Sequence, residues 1–256
     1  MAEPQQALFI NKSQHVARLL LDRIVEENLH QGSSFGTEAE LLEQYQVSRP
    51  TLRESLRILE SQGVLSLRPG PKGGIIVEKP SIDILAHSFS VFLRIHDVPL
   101  IEILRARMAI EPALIRDAAL NGTEEHFAEM DASVDRLEAV KDDDGTVLKR
   151  ENRIFHNIIA KAAHNPVLEV FWQTICSLAS GEGEGIKFTE RNRLAVVAAH
   201  RELTAACRRR DPDLAQNLMM QHLGELEVLL NKRTKSGDMA PMPIQFGAGL
   251  KVQRAE

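Results

Sequence analysis

Three histidines, His156, His200 and His222, each lie inside an apolar, helix-patterned segment: RENRIFHNIIAKAAHNPVL, RLAVVAAHRELTAAC and LAQNLMMQHLGELEVLL. Asn152 precedes His156 by four residues and so shares its helix face. Neutral imidazoles ligate Zn²⁺, Ni²⁺ and similar ions, and a helical bundle builds such sites from facing helices. Buried histidines also serve simply as hydrogen-bonded core residues, so spacing alone leaves both possibilities open.

A second grouping is cationic. Between residues 44 and 74, Arg49, Arg53, Arg57, Arg68 and Lys72 face only Glu54 and Glu60, although the whole chain carries a formal charge of −5. Positive charge gathered on one segment of an acidic protein marks a surface for a polyanion. The planar fork of arginine can donate two hydrogen bonds to guanine O6 and N7, whereas a lone lysine serves a phosphate as a point charge.

The elements that must carry these residues follow from periodicity. Residues 13–30 place Val16, Leu19, Leu20, Ile24 and Leu29 on one face of a helix, with Ser13 as its expected N-cap. Thr37-Glu38-Ala39-Glu40 is a capping box and opens a short second helix. Ser48 can cap a third, with Pro50 in its first turn and Leu52, Leu56 and Leu59 inward, ending at Gly63. These make a helix-turn-helix in which Arg49, Thr51 and Arg53 lie on the exposed side, where a recognition helix meets base edges. Arg57, a turn further on, is placed for phosphate. Val64–Leu67 and Ile75–Val77 are β-prone runs around RPGPKGG, which predicts a two-stranded hairpin, or wing. Its glycines let backbone approach a duplex, with Lys72 at the tip.

Beyond residue 82 only helix patterns occur, broken at Pro99, Asn121-Gly122, 142–145, Asn165-Pro166, 181–185 and Asp211-Pro212. The expected fold is mostly α: a winged helix-turn-helix domain at 11–80, an all-helical bundle of six or seven helices at 81–232, and a flexible tail at 233–256. No apolar run reaches the roughly 20 residues of a membrane helix, and the start MAEPQQALFINKS lacks secretory features, so the expected address is the cytoplasm. Cys176 and Cys207, without CxxC spacing, suggest buried thiols rather than a disulfide framework. Aromatic content of 4% argues against stacking on single-stranded nucleic acid.

The stretch GTEAELLEQYQVSRPTLRESLRILESQGVLSLRPGPKGGIIV resembles the winged helix-turn-helix of GntR-family bacterial transcription regulators. That resemblance implies contacts to double-stranded operator DNA from Arg49, Thr51, Arg53, Lys72 and Gly73. Members often carry an arginine between the two acids of the second helix, where this chain has Ala39. The second half resembles the helical FCD effector-binding domain of the FadR-type subfamily. This implies a divalent metal held by His156, His200 and His222, with Asn152 where an aspartate is commoner. The R-x-x-x-E element of that domain's first long helix matches Arg107 and Glu111, making Arg107 a candidate anchor for an effector carboxylate; a helix-internal pair with Glu111 is the competing role.

The expectation is a ligand-responsive regulator, a repressor acting as a homodimer on a palindromic operator and released by a small carboxylate. An acyl-CoA sensor without metal is the alternative. A metallohydrolase is disfavoured because no carboxylate stands beside the histidines at a telling spacing, so no enzyme activity is expected.

Overall fold

The computed structural model describes residues 11–68, 74–140, 145–179 and 189–235, which leaves Lys72 and Gly73 outside the described residues. The chain divides into two compact units, Met1–Ile84 and Leu85–Glu256.

The first unit begins with α1 (Lys12–Glu26), β1 (Ser34–Gly36), α2 (Glu38–Tyr45) and α3 (Arg49–Ser61), followed by β2 (Leu65–Arg68) and β3 (Gly74–Val77). The cap of α1 is Asn11, whose side chain accepts from the Ser13 amide, so the helix starts earlier than the Ser13 cap predicts. Asn and Ser cap about equally well, and sequence alone cannot choose between neighbours. Ser13 instead is buried in the interface with α3, where its carbonyl accepts from the Ser55 hydroxyl at 2.8 Å. The capping box of α2 forms in both directions: Thr37 Oγ1 accepts from the Glu40 amide at 3.3 Å, and Glu40 Oε2 accepts from the Thr37 amide at 2.7 Å. The turn into α3 passes through Gln46 in the left-handed region, φ 51°. The Ser48 hydroxyl then accepts from the Thr51 amide and starts α3.

Leu20, Leu52, Leu56 and Leu59 fill the core between α1 and α3 together with Phe35, Ile75 and Val77. The sheet has three strands in the order β1-β3-β2, all antiparallel, rather than the two expected. β1 contains only three residues, too few for an alternation to register, yet burying Phe35 in the core fixes it against β3.

The second unit is helical: α4 (Ile82–Ile95, its first three residues lying in the first unit), α5 (Leu100–Asn121), α6 (Glu124–Glu138), α7 (Thr146–Ala162), α8 (Pro166–Ala179), α9 (Glu190–Arg208) and α10 (Pro212–Lys235). Thr123 and Thr189 cap α6 and α9 with reciprocal side-chain bonds, and Pro166 and Pro212 occupy first turns, where the missing N–H costs nothing. Phe127, Met130, Phe155, Trp172, Leu203, Met219 and Leu223 form one continuous core. That packing is what draws single turns of α5, α7, α9 and α10 to the centre of the bundle.

Candidate functional site

His156 on α7, His200 on α9 and His222 on α10 converge at the centre of the bundle, with one ligand atom from each lying within 4.8 Å of the others. The ring centroids are 5.3 Å apart for His156 and His200, 5.6 Å for His156 and His222, and 5.1 Å for His200 and His222. Each histidine follows the apolar stripe of its helix inward, and His156 and His200 are almost wholly buried. Phe155 stacks on His200 at 3.8 Å, which fixes the plane of that ring. Trp172 on α8 lies nearly parallel to His156 at 6.5 Å.

Glu111 on α5 completes the centre, and the sequence reading missed it as a partner of the histidines. Its Oε1 accepts from Arg107 Nε at 2.5 Å, and its Oε2 contacts His156 Nδ1. This second contact is close but poorly aligned, because neither atom has a hydrogen-bond partner of good geometry. Residues 111 and 156 are far apart in sequence, so no spacing rule could pair them; the only signal was the R-x-x-x-E element itself. Burial alone pushes the Glu111 carboxyl up, but the Arg107 guanidinium and then His156 outweigh it and hold the group far below the ordinary carboxylate range. The carboxylate is therefore ionised, and it orients the imidazole through Nδ1.

That orientation leaves His156 Nε2 for another partner. Nε2 of His156 and Nε2 of His200 are buried and have no hydrogen-bond partner among the described residues. Burial, then His222 and His156, drive the His200 pKa well below its usual value. Burial, then His156, bring His222 down to about 3. Both rings are neutral at pH 7 and so able to ligate. Zn–N bonds of about 2.0–2.1 Å require nitrogens roughly 3.4 Å apart in a tetrahedron, so the cluster needs only small side-chain movements to close on an ion. Two neutral imidazoles, His200 and His222, beside a third, His156, that has a carboxylate behind it and a buried Nε2 without a hydrogen-bond partner, fit a divalent cation. Asn152 is half-buried one turn before His156 on α7. Arg107 is buried beside this centre, joined to Glu111.

In the first unit, Arg49, Arg53 and Arg57 are exposed on α3 and Thr51 is half-buried. Thr51 shares a 2.8 Å hydroxyl contact with Ser48 and so also belongs to the helix cap. Arg57 is 3.9 Å from Glu54 and largely solvated. Arg53 is held by Glu38 of α2, with Nε to Oε1 at 2.9 Å and Nη2 to Oε2 at 3.3 Å.

A helix-turn-helix with a small sheet, followed by a helical bundle with a central imidazole cluster, defines a class of regulator. Residues 12–75 match the bacterial regulatory proteins of the gntR family, and residues 102–225 match the FCD domain. The HTH-type transcriptional regulator YcbG of Bacillus subtilis (strain 168) is 32% identical over 212 residues, covering 81% of this chain and 87% of that one. The chain belongs to the GntR family of transcriptional regulators, with an FCD domain. The HTH-type transcriptional repressor NanR of Salmonella typhimurium is 25% identical over 226 residues, covering 82% and 84%. Among solved structures, the GntR protein of Streptococcus agalactiae superposes with a TM-score of 0.65 at 23% identity, covering 85% of this chain and 99% of that one; it speaks to the fold alone. These relatives are regulators rather than enzymes. No helix among the described residues is long and apolar enough to cross a membrane.

Proposed function

We propose that this protein is a cytoplasmic, ligand-responsive repressor that binds a palindromic operator as a homodimer and leaves it when a small carboxylate enters the FCD domain. The observation that carries this reading is the convergence of His156, His200 and His222 beside the Arg107–Glu111 pair. The Arg107–Glu111 pair is close to neutral as a whole, so the positive charge that suits an anion here would come from a divalent ion held by the imidazoles. His156, His200 and His222, with Asn152 as a weaker fourth ligand, would hold a divalent ion such as Zn²⁺ or Ni²⁺. When bound, such an ion supplies a Lewis-acidic point for an effector oxygen. Asn152 brings no negative charge, which leaves the site more attractive to a carboxylate than an aspartate would. Arg107 is the candidate anchor for that carboxylate.

At the DNA, Arg49, Thr51 and Arg53 of α3 would meet base edges in the major groove, and Arg57, Lys72 and Gly73 would meet the backbone. Exposed apolar side chains on α4, Leu85, Phe89, Phe92 and Ile95, support burial against a second copy. A dimer places two recognition helices about one turn of DNA apart, which is the reason to expect a palindrome. The effector can shift the DNA-competent arrangement only by binding the two states unequally.

The test is a selection of bound sites from random duplexes, followed by displacement of the selected duplex with a panel of carboxylates in the presence of zinc, nickel or chelator. Release by a carboxylate that chelator abolishes supports the reading. Release by an acyl-CoA regardless of chelator would replace it with the metal-free alternative.

A further inference from the structure

Glu38 has no assigned role, yet it takes one whole edge of Arg53. A guanidinium offers two pairs of parallel N–H bonds: the side edge of Nε and Nη2, and the end edge of Nη1 and Nη2. The Glu38 carboxylate binds the side edge through both oxygens, at 2.9 and 3.3 Å. The end edge points away from that carboxylate and keeps the two-donor geometry that matches guanine O6 and N7. Arg53 stays 63% exposed despite the pair, so this edge is accessible.

We infer that Glu38 is a positioning residue that fixes Arg53 as a guanine reader; the inference rests on the reading of α3 as the recognition helix. Two arguments favour base over phosphate. A carboxylate held against the guanidinium neutralises it, and a neutral pair gains little from a phosphate while the acid is itself repelled by one. A rigid fork, by contrast, loses less rotamer freedom on forming two directed hydrogen bonds. Arg57, 3.9 Å from its nearest acid and 73% exposed, has the opposite character, that of a mobile cation for the backbone. Ala39, next to Glu38 on α2, offers no competing donor. The burden of base reading thus falls on Arg49 and Arg53.

The experiment compares bound-site selection and salt-dependent affinity for the wild type, Glu38→Gln and Arg53→Lys, using the full-length protein and the duplex the wild type selects. In Glu38→Gln, preference for guanine at one position of each half-site should fall roughly tenfold. Binding to random duplex should tighten instead, with a salt slope steeper by about one charge, because a neutralising acid is gone. Arg53→Lys should lose the same guanine preference, since an ammonium cannot serve the carboxylate and the base together. Thermal melting of both variants should match the wild type, because the pair is solvent-exposed. Unchanged base preference in Glu38→Gln, or a uniform loss of affinity for all sequences, would overturn the role of Glu38 while leaving DNA reading intact. Failure of the wild type to enrich any sequence would overturn the recognition-helix reading itself, and this inference with it.

Discussion

The Glu111 carboxylate on α5 contacts Nδ1 of His156 on α7, turning a core salt bridge into the support of an imidazole cluster. Arg107 keeps that carboxylate ionised, and the carboxylate in turn leaves Nε2 as the free face of His156. An acid behind a ligating histidine raises its basicity and fixes its tautomer.

Glu111→Gln should therefore weaken metal binding roughly tenfold to hundredfold while preserving an acceptor for Arg107. Competition with a chromogenic chelator measures the change. Equal zinc affinity in the two proteins would show that the contact has no orienting role.

Acid should destabilise the second unit through its histidines. His200 and His222 both have folded pKa values below the usual 6.5, the latter about 3. Above pH 6.5 neither the folded nor the unfolded chain is protonated at these positions, so they do not affect stability. Below it the unfolded chain takes protons that the folded chain refuses. Stability is lost as pH falls, at up to about 1.4 kcal/mol per pH unit for each group, until the folded site itself titrates. Denaturant midpoints measured between pH 7 and pH 4 should decline, and zinc should slow that decline by competing with protons. His200→Phe, which removes one of the two groups, should show a shallower slope.

On α3 the two kinds of arginine should separate experimentally. Arg49→Ala should cost roughly 1–3 kcal/mol on the selected operator and relax base choice at one position. Arg57→Ala should weaken all sequences alike and flatten the salt slope by about one. Both are read by fluorescence anisotropy across a salt series.

Much of this architecture is legible in the sequence because its signals are local. The Thr37–Glu40 capping box, the Ser48 cap and the leucine stripe of α3 lie within a few residues of one another, and the structure forms each of them. The three histidines are each legible as interior residues from the apolar positions around them, although their convergence depends on packing between helices that no single segment encodes. What the sequence hid was long-range or very short. Glu111 meets His156 only because α5 packs on α7, and Trp172 joins them from α8. β1 is too short to show a period, and its pairing with β3 is decided by the burial of Phe35. The Glu38–Arg53 pair spans two helices whose relative placement depends on the left-handed turn at Gln46.

The most direct measurement follows anisotropy of the selected duplex bound to wild-type protein and to His200→Ala, each titrated with the releasing carboxylate in the presence of zinc. If the imidazole centre governs release, the wild type gives up its DNA, and the variant binds DNA equally well but needs at least about tenfold more carboxylate. Identical release curves for the two proteins would contradict control of the operator from this site.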